Sequence, residues 1–138
     1  MVNTEKVIDA NIRTYTFSDE SGEVLASFRL NPTDVRIADR VQECAEHFAK
    51  AAKEIPERVT FDDVLKYNND LEDKICYVLG YDAHQELFGF LSATTTLDDG
   101  GIFVKKVMQL IFDAVIEDLR KRREALVAAV KKHTAKYE

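Results

Sequence analysis

The residues able to do chemistry in this chain are few and scattered. Cys44 and His47 lie three apart, which puts two metal-ligating side chains on one face of a helix. Cys76 and His84 would complete a set of four, and zinc takes three or four such donors. The chain contains no CxxC and no HxxxH, however. Both cysteines fall within apolar helical patterns, where a small core residue is the plainer reading. Carboxylates cluster at Asp62–Asp63, at Asp70 with Glu72 and Asp73, and at Asp98–Asp99. Paired carboxylates do acid–base work when burial separates their pKa values. Here Asp63 follows Thr60 by three, as a helix-start residue does. Asp98-Asp99-Gly100-Gly101 reads as a loop. Calcium-loop spacing, GxSxG and a glycine-rich phosphate loop are absent from the sequence. An enzyme would have to build its site from Asp62, Asp63, His84 and Asp98. We therefore expect no catalytic residue, no metal and no cofactor.

Two further stretches invite a binding role. "RKRR", Arg120 to Arg123, suggests nucleic acid at first sight. Yet Glu117 precedes Lys121 by four and Asp118 precedes Arg122 by four, the spacing of supportive helix ion pairs. Arg120 and Arg123 are left to meet an acidic neighbour. "LFGFL", Leu87 to Leu91, adds Leu87, Phe88, Phe90 and Leu91 to an apolar supply that continues with Leu97, Ile102 and Phe103. Core packing is the default for it. The functional alternative is a protein-binding patch, joined farther along by Arg120, Arg123, Leu126 and Val130.

These residues need elements to hold them. Residues 12–30 alternate as a β-hairpin, with "DESG" as its turn. Tyr15, Phe17 and Phe28 lie on apolar strand faces. Two strands alone are marginal, so they pack on helices or pair with another chain; those three aromatics are candidates for self-association. Residues 31–101 read as a helical body. Asn31 is a candidate N-cap with Pro32 in the first turn and Asp34 three residues on. The helix that follows carries the stripe Ile37, Val41, Cys44, Phe48, Ala51, Ile55, and Pro56 ends it. A second helix opens at Thr60 with a capping box and closes at Gly80. "DAHQ", Asp82 to Gln85, opens a short third helix, and Ser92–Gly101 is a polar loop.

Residues 102–138 form the longest predicted helix. From Ile102 to Lys136 there is no Pro or Gly. Such a helix is about 50 Å long, against a diameter of ~37 Å for a compact domain of this size. It should overshoot the body. From Phe103 to Leu119 it is apolar almost all round, as in a helix buried on several sides. The expected fold is thus α+β, mostly α: an N-terminal β-hairpin followed by a helical bundle with a long C-terminal helix. It is one domain, 1–138, with a loose N-terminus at 1–11.

Charge is split along the chain. Residues 1–104 hold 10 Lys/Arg against 20 Asp/Glu, a net −10; residues 105–138 hold 9 against 5, a net +4. An acidic body argues against coating nucleic acid. It suits a homo-oligomer in which the tail of one copy meets the body of the next. "MVNTEKVIDA" has no apolar core and no segment reads as a membrane span, so a cytoplasmic protein with reduced thiols is expected.

The hairpin ending in Phe28-x-Leu30, the "NPTD" helix opening, "LFGFL" and the basic-ended long helix together resemble the small tail assembly chaperones of long-tailed bacteriophages of Gram-positive hosts. The likeness is architectural and covers most of residues 12–138; its local motif is Phe28-x-Leu30-Asn31-Pro32-x-Asp34. The resemblance implies a non-enzymatic protein that binds the tape measure protein, self-associates and recruits tail tube protein subunits. It also implies absence from the finished virion. The alternative is a small cytoplasmic protein-binding or regulatory module of another class.

Overall fold

The computed structural model describes residues 4–8 and 11–135, with side chains through His133. Of the N-terminus expected to be loose, 1–3 and 9–10 lie outside the described residues; so do 136–138 of the long helix. The elements are β1 (Arg13–Ser18), β2 (Val24–Leu30), α1 (Val35–Lys53), α2 (Phe61–Leu79), α3 (His84–Phe88) and α4 (Phe103–Ala135). The fold is α+β and mostly helical, with an N-terminal hairpin and a long final helix. No helix among the described residues is long and apolar enough to cross a membrane.

The hairpin turn is built by Asp19. Its Oδ1 accepts from Ser21 N, Ser21 Oγ and Glu23 N. Gly22 takes φ +87°, a region that favours glycine. β1 and β2 pair antiparallel from Arg13↔Leu30 to Phe17↔Ala26, then slip at Ser18↔Val24, leaving Leu25 as the extra residue. The inner face carries aromatics. Tyr15 stacks on Phe28 with centroids 5.0 Å apart, and Phe17 meets Phe103 edge-on at 5.0 Å. Phe103 is in turn edge-on to Phe88. One aromatic chain thus joins the hairpin, α3 and the start of α4.

The joint between hairpin and helix differs from its sequence reading. The cap of α1 is Asp34, not Asn31: its side chain accepts from Arg36 N, and the helix begins at Val35. Asn31 instead accepts from Thr33 N and Thr33 Oγ1, and its carbonyl accepts from Asp34 N at 3.2 Å. That is a turn with Pro32 at its second position, where proline's fixed φ fits. The clash of proline with the preceding residue also keeps Asn31 extended. The helix stops at Lys53, so Ile55 lies outside it and is exposed. α2 matches expectation at both ends. Thr60 and Asp63 form a full capping box, and Gly80 closes the helix at φ +82°.

α4 is held by the loop before it. The first N–H groups of a helix lack intrahelical partners. Here Phe103 N donates to Thr95 O at 2.8 Å and Val104 N to Ala93 O at 2.9 Å. The loop is fastened in its turn to α2. Asn68, the buried polar residue of the core, accepts from Thr94 N and Thr94 Oγ1, both at 2.9 Å, and donates to Glu72. Glu72 also accepts from Ala93 N. The core itself gathers Phe28 and Leu30 from β2, Ile37, Val41 and Cys44 from α1, Ile75 and Val78 from α2, Leu87 from α3 and Val107 and Ile111 from α4.

Candidate functional site

The cysteines among the candidate residues are buried, and His47 and His84 are held by carboxylates. Cys44 is 1% exposed, and burial pushes its thiol up to about 11. Cys76 is buried and its thiol is raised for the same reason. Neither is a reactive thiolate. His47 pairs with Asp70 at 2.7 Å, away from the set proposed from sequence. His84 faces Asp82 through Nδ1 at 2.6 Å and Asp73 through Nε2 at 2.8 Å. These bonds, Asp82 first, hold its pKa above the ordinary histidine value. Cys76 Sγ lies 3.5 Å from His84 Nδ1, so Cys76, Asp82 and His84 bring three donor atoms together. A closed structural zinc site takes four. The hydrogen bonds account for the cluster without a metal: Asp82 accepts from His84 N as α3 begins. The sequence pattern Asp82-x-x-Gln85 suggests a capping box there, but the N-cap of α3 is Ala83, without a side-chain cap bond, and no box forms among the described residues. No hydrogen bond joins any two of Asp62, Asp63, His84 and Asp98 among the described residues.

Two surfaces bear on the residues expected to bind a partner. One is a groove of about 750 Å³ between the hairpin tip and the loop before α4. Phe17, Leu25, Leu91, Leu97 and Phe103 form its apolar floor, and Asp19, Glu20, Asp98 and Asp99 give it an acidic rim. The structure thereby brings Leu91, Leu97 and Phe103 together. It does not bring the rest of the expected patch to that surface. Leu87, Phe88 and Phe103 are 0%, 7% and 1% exposed and are core residues. Phe28 is fully buried, and Tyr15 and Phe17 pack half-buried on the core. Within the single chain these aromatics, the candidates for self-association, hold the hairpin to its own helices. The reason is geometric: a two-stranded sheet has one inner face, and the helices already cover it. Phe90 is exposed, and Ile102 is half-buried.

The second surface is on α4. Its buried stripe, Phe103, Val104, Val107, Ile111, Ala114 and Val115, ends there. About a third of a turn round the helix lies another row, apolar but for Arg123. Phe112, Ile116, Leu119, Arg123 and Leu126 follow one another at steps of four, three, four and three, and Val130 continues the spacing. All six are exposed. A sustained 3.5-residue repeat is the pattern of a coiled-coil seam. Arg120 and Arg123 make no hydrogen bond or ion pair among the described residues. The sequence reading had Phe103–Leu119 buried on several sides; in the folded chain one side is bare. The signal for it was present in the 4–3 spacing, which runs unbroken through Arg123.

The two other basic residues of the run are held in place. Glu117–Lys121 and Asp118–Arg122 are ion pairs at 3.2 Å, as the i,i+4 spacing predicts. Arg122 also donates to Thr33 O at 2.6 Å, tying α4 to the turn before α1. Comparison with protein-family models, with curated proteins and with solved structures found no match.

Proposed function

We propose that this protein is a non-enzymatic tail assembly chaperone of a long-tailed bacteriophage. In this reading it binds the tape measure protein, self-associates and recruits tail tube subunits in the host cytoplasm. The observation that carries it is the exposed α4 row from Phe112 to Leu126. A helix that leaves an apolar 3.5-residue repeat in water is built to receive another helix. A tape measure protein is a long helical chain whose apolar faces need cover before assembly. The order of elements, with the Phe28-x-Leu30-Asn31-Pro32-x-Asp34 joint, supports the same reading. So does the local engagement of Cys44, His47, Asp63 and His84, which leaves no gathered catalytic set among the described residues. The test is co-expression with a tape measure protein, scored by how much of it stays soluble and co-purifies. Leu119→Glu with Leu126→Glu should abolish both. Unchanged solubility with and without this protein would refute the chaperone role.

A further inference from the structure

We propose that a second copy of this chain closes the α4 seam, its α4 running antiparallel to the first; this deepens the reading of α4 as the docking element and names its occupant before a partner arrives. The direction follows from Arg123. In a parallel pair equivalent seam residues face each other, so Arg123 would meet Arg123, and like charges in a seam select against that arrangement. In an antiparallel pair centred between residues 117 and 118, Ile116 lies against Leu119 of the second copy, and Leu119 against its Ile116. Arg123 then lies over Phe112 of the second copy, where a guanidinium on an aromatic face is favourable.

The flanking charges agree with this register. Asp113 and Arg120 occupy the same side of the seam one heptad apart, and both are exposed. The antiparallel pair sets Asp113 of each copy beside Arg120 of the other, giving two symmetric ion pairs. Beyond them Lys131 and Lys132 reach the start of the second copy's α4, beside the loop in which Asp99 pairs with Lys106 at 3.4 Å. Gln109 and Lys105 are the positions that fit least. They fall opposite Leu126 and Val130 of the second copy and lay their aliphatic stems there with the polar heads in water. The seam lies about a third of a turn from the buried stripe, so closing it leaves each copy's own core contacts in place.

Sedimentation velocity across the micromolar range should show a monomer–dimer equilibrium. Leu126→Glu lies where the described residues of α4 are all exposed, so it leaves the fold intact. It should weaken the dimer by more than about a hundredfold, since each dimer loses two buried leucines. The register is read by charge exchange. Asp113→Arg or Arg120→Asp alone should each weaken dimerisation by about tenfold, and the double variant should restore it, as expected for two exposed ion pairs per dimer. A monomer throughout the range overturns the pairing. So does a dimer indifferent to Leu126→Glu, or single charge variants without effect. Binding of a helical tape measure segment is the separate readout. If monomeric Leu126→Glu still binds it, the pairing stands and the seam is not the partner's dock. If the wild-type chain is monomeric and binds the segment, the pairing falls and the chaperone reading survives.

Discussion

Replacing Asn68 by leucine should loosen the whole attachment of α4. The side chains have the same number of heavy atoms and leucine is the bulkier, so no cavity is created. What changes is hydrogen bonding. Thr94 N–H and Thr94 Oγ–H lose their shared acceptor, Asn68 Oδ1, at 2.9 Å each. A buried donor left without a partner costs about 1–3 kcal/mol. Thr94 is half-buried, so water recovers part of this. Glu72 loses the Asn68 amide but keeps Ala93 N. Added apolar burial from leucine offsets about 1–2 kcal/mol. The net loss is about 2 kcal/mol, or a fall in Tm of about 8 °C for a chain of this length. Urea unfolding at neutral pH measures it, and amide exchange at Thr94 locates it. Asn68→Asp supplies the control. It keeps the acceptor but sets a carboxylate against Glu72, so its deficit should shrink in mild acid, where the two can share a proton. That of Asn68→Leu should not. A loss below about 1 kcal/mol, or unchanged exchange at Thr94, would show that the loop is held by something other than Asn68.

Arg122→Ala removes the 2.6 Å bond to Thr33 O and the pair with Asp118. The side chain is 39% exposed, so the expected loss is modest, about 1 kcal/mol by urea unfolding. The raised pKa of His84 gives stability that is fully present below the ordinary histidine value and is lost as pH rises through the higher folded value. The urea midpoint should therefore step down over that window, and His84→Gln should flatten the step. Gly80→Ala forces a side chain into φ +82° with its Cβ 3.0 Å from Arg40 Nη1. The guanidinium can swing aside, so the cost is the backbone term, about 1 kcal/mol, read by thermal unfolding.

Local chemistry was legible from the chain itself. The hairpin turn at Asp19–Gly22, the capping box at Thr60 and Asp63, the stop at Gly80 and the i,i+4 pairs at Glu117–Lys121 and Asp118–Arg122 each depend on residues within a few positions of one another. Their geometry follows from spacing, and the structure shows each of them. The α1 start was misread by three residues, because asparagine before proline favours a turn as readily as a cap and the local pattern does not choose between them.

Tertiary structure decided what spacing could not. Nothing in the residues around Asn68 marks it out; its role exists only because Thr94, 26 residues on, folds onto it. Leu87, Phe88 and Phe103 had core packing as the default and a partner as the alternative, and Phe28 was a candidate for self-association, since hydrophobicity names no occupant. Packing put them inside. The same packing used one side of α4 and left Phe112, Ile116, Leu119 and Leu126 outside. The sequence by itself determined that the long helix carries more apolar surface than one stripe. Which side the body covers, and so which side is left for another chain, depends on where the hairpin and the first three helices come to rest around it. Burial is a property of that arrangement, with one side of the helix used up by the chain's own core and the other still in water.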